Sequence, residues 1–291
     1  MISGGAYEKE LLRIDRIYEA HIRQGDFMGI DMIGIYDCFG YGGSYDIPFE
    51  ERYNLIKRAG FDCVMLWWSD RFGRGAGYKE DVRLAQKAGL VIDNMHTPIH
   101  EQNCLSLDNL DGESVYQTYQ QCVEDCAAFN IPTMVIHLPV DKYPVNEIGL
   151  RRLEKIIHKA EDKEIKIAFE NLENTANLDI VLNTFQSKII GFCYDSCHHQ
   201  NYAPDIDLLN KYGNRLMALH LHDNGGKHNQ HQLPFDGNID WTSVMRKITL
   251  TGYQGATTLE PMNWDYQDLS IQEFLDCAYQ KAKQLKDMRM L

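Results

Sequence analysis

The segment Leu219 to His231, LHLHDNGGKHNQH, holds four of the chain's eleven histidines, at positions 220, 222, 228 and 231. Imidazoles this dense can ligate a metal, move protons or simply lie in a solvated loop. Elsewhere three apolar runs end in a carboxylate: IKIAFE at Glu170, GFCYD at Asp195 and TTLE at Glu260. Two more end in histidine, VIDNMH at His96 and TMVIH at His137. A charge at the end of a buried strand has few routes to water and must find a counter-charge or a metal. Mixed carboxylates and imidazoles are the ligand types of a divalent-metal site. Glu170, Glu260 and Asp195 are therefore the leading candidates for metal binding or catalysis. His198, three residues beyond Asp195, can face the same cavity. His96 and His137, taken singly, are explained as well by hydrogen-bonded core positions.

Such residues act together only if the fold brings them to one place. Short apolar runs alternate with amphipathic stretches along the whole chain, the pattern of parallel strands joined by crossover helices. Strands are expected near residues 29–36, 61–68, 90–96, 132–137, 165–170, 189–195, 216–222 and 256–260. Helices are expected over 48–60, 112–129 and 145–163, where apolar residues recur every three or four positions. Gly60 and Gly89 fall where a helix hands over to a strand and a left-handed cap is needed. Eight strands predict an α/β fold, the (β/α)8 TIM barrel, as a single catalytic domain over 29–291. Residues 1–28 read as an N-terminal helical extension, with an amphipathic helix over 7–24.

In such a barrel the carboxyl ends of the strands form the active face. Those ends read Asp37, Trp68, His96, His137, Glu170, Asp195, His220 with His222, and Glu260. Trp67, Trp68 and Tyr41 offer apolar faces to a ligand there, or serve as core aromatics. Specificity is expected in the loops 39–46 and 69–79. Arg71, Arg74 and Lys79 in the second loop are candidates for an anionic group, against the plainer reading of a solvated turn.

The 42 acidic residues against 29 basic ones give a net charge of −13, which disfavours nucleic acid and anionic lipid as partners. The eight cysteines form no CxxC pair and no dense framework, so a reducing, cytoplasmic setting is expected. No apolar run approaches the length of a membrane span.

FENLENT (169–175), YDSCHH (194–199), LHLHDN (219–224) and TTLEPM (257–262) occur in an order and spacing that resemble the xylose isomerase-like TIM-barrel family of sugar isomerases and epimerases, relatives of endonuclease IV. The resemblance spans roughly residues 30–285. It implies one divalent ion (Mn, Mg, Co or Zn) held by Glu170, Asp195, His220 and Glu260. His220 is preferred to His222 because an acidic residue, Asp223, follows it by three positions. Asp223 is then expected to orient an imidazole, and His228 to face solvent. The resemblance also implies a small-molecule sugar or sugar phosphate as substrate. Isomerisation or epimerisation would proceed through an enediolate, with Glu170 and Glu260 exchanging the proton. Homo-oligomerisation follows from the resemblance alone. The trinuclear site of endonuclease IV finds matches at His96, His137, His198 and His231, leaving room for a second ion, or for these histidines and His222 to bind substrate. Its Asp-x-His pair begins here with Asn229, a poorer zinc ligand than a carboxylate. Rival readings are a multinuclear zinc phosphoesterase and a sugar-binding barrel without chemistry.

Overall fold

Runs apolar on both faces suit strands that bury one face inside a barrel and the other beneath helices. A computed structural model of the chain describes residues 29–40, 47–69, 75–99, 101–140, 142–227 and 229–289. The runs form β1 (Ile33–Tyr36), β2 (Cys63–Trp67), β3 (Val91–His96), β4 (Thr133–Ile136), β5 (Lys166–Glu170), β6 (Ile190–Asp195), β7 (Leu216–His220) and β8 (Thr257–Leu259). β1 starts later than expected because Gly29–Asp31 is a 3-10 turn. The strands lie in the order β7-β6-β5-β4-β3-β2-β1-β8, and every registered pair is parallel. Leu221 closes the ring: it bridges Leu259, its N–H donates to Thr258 O, and its O accepts from Glu260 N. The TIM barrel expected from the sequence is thus the fold.

The helices are α1 (Phe49–Ala59), α2 (Asp81–Lys87), α3 (Leu110–Phe129), α4 (Glu147–Asp162), α5 (Thr175–Thr184), α6 (Ser196–Tyr202), α7 (Leu208–Tyr212), α8 (Trp241–Leu250) and α9 (Ile271–Arg289). The expected handover glycines take the left-handed backbone, Gly60 at φ 113° and Gly89 at φ 80°. Asn109 and Asn146 cap α3 and α4 by accepting N–H bonds from the first helical turn. The main core fills the space between strands and helices. Inside the barrel, Val135, Ala168, Cys193 and Ala218 form a small-residue floor beneath the strand ends. The expected extension over 1–28, together with Tyr41, Arg71, Arg74 and His228, lies outside the described residues. Among the described residues no helix is long and apolar enough to cross a membrane. All eight cysteines are free thiols.

α6 is tied down by His199. Its Nε2–H donates to Ile206 O at 2.8 Å, so Nδ1 must accept from the Tyr194 hydroxyl, also at 2.8 Å. Burial lowers this imidazole below its ordinary pKa of 6.5, which favours the neutral form. Below pH 6.5 the unfolded chain takes up this proton before the folded one does, so stability is lost as pH falls from that point. We expect His199→Gln to have a shallower loss of unfolding free energy over this interval, measured by urea titration at a series of pH values. Equal slopes in the two proteins would refute it.

Candidate functional site

Inward-facing residues alternate along a strand, so each strand delivers one last inward side chain to the carboxyl-end mouth. β5 delivers Glu170, β6 Asp195, β7 His220, and the residue after β8 is Glu260. Ligand atoms of these four buried side chains all lie within 4.8 Å of one another. His220 Nδ1 stands 2.9 Å from Glu170 Oε2 and 3.4 Å from Glu260 Oε2. Two carboxylates from opposite parts of the ring therefore flank one imidazole.

Glu170 is the hub. Its Oε1 lies 2.9 Å from His198 Nδ1 and 3.1 Å from His137 Nε2, and its Oε2 lies 3.5 Å from His96 Nε2. Burial opposes ionisation, but His137 and His220 beside it hold the carboxyl well below the usual carboxylate range. Despite these short distances, neither Glu170 oxygen nor His220 Nδ1 is aligned in a hydrogen bond. A buried carboxylate without an aligned hydrogen bond is costly, and a cation at the point where these oxygen and nitrogen atoms converge would satisfy it. The donor set, three carboxylates and an imidazole, suits a divalent ion of the Mg, Mn, Co or Zn class. The residues fit such a group.

The surrounding histidines divide by their fixed bonds. His96 is buried and lowered to about 4, by burial first and then by His137. Its Nδ1 faces Thr97 O at 2.8 Å, and its Nε2 meets His137 Nε2 at 3.1 Å. His198 is raised to about 9, because Asp195 and Glu170 outweigh its burial. His222 lies behind Asp195, with Nε2 2.8 Å from Oδ2, and its ring stacks on His231 at 4.1 Å. His231 is fixed by Nδ1 against Glu260 O at 3.0 Å, and its own O accepts from Met262 N. Burial, then His222, lowers His231 to about 3. Three further groups have ligand geometry: His96 with His137 and Glu170, His222 with His231 and Glu260, and Cys193 with Glu170 and His220.

Several expectations are corrected. Asp223 orients no imidazole: its four acceptor positions take the N–H groups of Asn224, Ile239 and Phe235 and the Trp241 indole. Asp37 faces α1 rather than the mouth, accepting from the Tyr53 hydroxyl and Trp67 N. Lys79 is held by Asp125 at 2.9 Å, which removes it from any anion site at the mouth. Trp68 points outward, where its indole donates to Asp125 Oδ2 at 2.8 Å and it packs on Tyr78 and Phe129. Strand parity gives the inward position to Trp67, which stacks on His96 at 4.8 Å.

The mouth encloses about 280 Å³, near the lower end of small-ligand pockets. His96, His137, Glu170, His198, His231 and Glu260 line it together with Trp67. Sequence reasoning missed Tyr36, Ile99, Leu172, Glu173, Tyr202, Met262 and Trp264. Trp264 had a usable signal, since it lies four residues beyond Glu260 in a loop on the active face. Among the described residues no lysine or arginine lines the pocket. Trp67→Phe is expected to raise KM by roughly 3–10-fold, because it trims an aromatic face that lines the pocket. Trp68→Phe should leave KM unchanged and cost about 1–2 kcal/mol of stability through the Asp125 bond. Steady-state kinetics with urea unfolding separate the two, and the reverse pattern would restore Trp68 to the site.

Residues 53–277 match the sequence profile of the xylose isomerase-like TIM barrel. The chain belongs to this family. Within the xylose isomerase-like barrels it is 27% identical over 285 residues to the uncharacterized protein y4fM of Sinorhizobium fredii, covering 84% of this chain and 90% of that one. It is 24% identical over 163 residues to the inosose dehydratase of Clostridium beijerinckii, covering 48% and 52%. Among solved structures, D-psicose 3-epimerase from Clostridium cellulolyticum H10 superposes with a TM-score of 0.68 at 15% identity, over 89% of this chain and 98% of that one. A D-tagatose 3-epimerase-like protein gives 0.66 at 20% identity, over 88% and 96%. These structural likenesses establish the fold.

Proposed function

We propose that the protein is a divalent-metal-dependent isomerase or epimerase of a free ketose or related polyol ketone. The observation that carries this reading is the pair Glu170 and Glu260, which line the pocket and flank the buried His220, with Glu170 held ionised. Glu170, Asp195, His220 and Glu260 would hold the ion, which supplies a Lewis acid for the substrate's oxygens. Ionised Glu170 is in the form that accepts a proton from the carbon next to a carbonyl, and Glu260 lies across the pocket to return one. His222 fixes the Asp195 carboxylate through its 2.8 Å contact. His137 and His198 face Glu170 Oε1 at the pocket wall, placed to bond substrate hydroxyls. Trp67, Trp264 and Met262 line the apolar side of the pocket, where the carbon face of a substrate would pack. The carboxylate-rich lining favours an uncharged substrate over a phosphorylated one. The sugar 3-epimerases and the inosose dehydratase among its relatives are consistent with this class.

The second reading, a multinuclear zinc hydrolase, draws on the two additional groups that set paired histidines beside Glu170 and Glu260. Asn229 weighs against it, placing an amide where that chemistry uses a carboxylate. Elemental analysis of purified, metal-loaded protein distinguishes them. About one divalent ion per chain is expected; two or three zinc ions per chain would favour the hydrolase.

A further inference from the structure

Cys193 lies one inward position below Asp195 on β6, in register with Glu170 on β5. It is fully buried in the barrel floor, and its neighbours there, Val135, Ala168 and Ala218, carry no ligand atom. Its Sγ, a Glu170 oxygen and a His220 ring nitrogen lie within 4.8 Å of one another. The Glu170 oxygens and His220 Nδ1 are among the buried atoms that have no aligned hydrogen bond. Glu170 and His220 belong both to the Glu170, Asp195, His220, Glu260 group and to the sulfur-containing group. The proposed proton transfer has no use for a sulfur at this depth, where alanine or valine would complete the floor.

We propose that Cys193 is a sulfur ligand of the metal centre, engaged by thiophilic divalent cations of the zinc and cadmium class and left out by magnesium and manganese. The proposal rests on the metal-centre reading above. Hard cations prefer the oxygens of Glu170, Asp195 and Glu260, whereas a softer ion gains from replacing a carboxylate contact with a thiolate. On binding, the metal–sulfur bond forms, the S–H bond breaks and the proton leaves to solvent; no electron is transferred. The choice of ion then changes which atoms of Glu170 and Glu260 remain for the substrate.

The test titrates metal-free full-length protein with Cd2+ and with Mn2+, reading ultraviolet sulfur-to-cadmium charge transfer together with calorimetric affinity. Wild type should develop the band with its first equivalent of Cd2+. Cys193→Ser and Cys193→Ala should lose it, and the Cd2+/Mn2+ affinity ratio should fall about tenfold or more. Thermal unfolding checks that each variant is folded, so that loss of the band in a folded variant assigns it to Cys193 rather than to another of the eight free thiols. Stoichiometric Cd2+ without the band, or a band that persists in both variants, overturns the sulfur ligand and leaves the metal centre standing. Failure of wild type to bind either cation overturns the metal-centre reading along with it.

Discussion

Glu170→Gln lowers turnover by roughly 10³-fold or more at saturating metal, because it removes a proton acceptor and an anionic ligand at once. Glutamine preserves the shape of a side chain packed among His96, His137, His198 and His220, so the barrel remains folded. The loss therefore falls on chemistry, and exchange of the substrate α proton with solvent should fall in parallel with product formation. Glu260→Gln should impair the return of the proton, with partial exchange surviving when Glu170 is intact. Turnover of Glu170→Gln within about tenfold of wild type would remove Glu170 from the proton-transfer step.

Asp223→Ala destabilises the protein by roughly 3–5 kcal/mol, the largest effect expected outside the chemistry. Its fully buried carboxylate accepts four N–H bonds, two at each oxygen, from the 224–241 segment and the Trp241 indole. Alanine leaves those donors facing a cavity. The same segment carries Asn229, His231 and Phe235 with positive φ, a strained path that needs such an anchor. A Cβ at Gly237 would collide with this carboxylate, so Gly237→Ala should weaken the same knot. Asp223→Asn retains one oxygen acceptor and should lie between wild type and alanine. Urea unfolding measures the series, and a loss below about 1 kcal/mol for Asp223→Ala would show the segment is held otherwise.

The barrel was legible because each strand is an apolar run with a turn signal behind it, and the four central site residues were legible because an ionisable group ends each run. What one sequence does not encode openly is the direction of a side chain where neighbours are chemically alike. Trp67 and Trp68 are adjacent, so a one-residue difference in where β2 is taken to end exchanges pocket wall for outer core. His220 and His222 share a face by period, yet in the fold His220 stands between the glutamates and His222 behind Asp195. Asp223 resembles an imidazole partner in sequence because the N–H groups it serves are spread over the next eighteen positions. Asp37 falls at a strand end and Lys79 in a loop on the same face, but their partners, Tyr53 and Asp125, lie on helices.

The most direct measurement is ¹H NMR of free ketoses and inositol-derived ketones incubated in D2O with metal-loaded protein. The expected result is loss of the α-proton signal with deuterium incorporation, abolished by chelator and by Glu170→Gln and restored to wild type by adding the ion back. Metal-dependent release of phosphate from phosphate esters, with no α-proton exchange in any ketone, would contradict it.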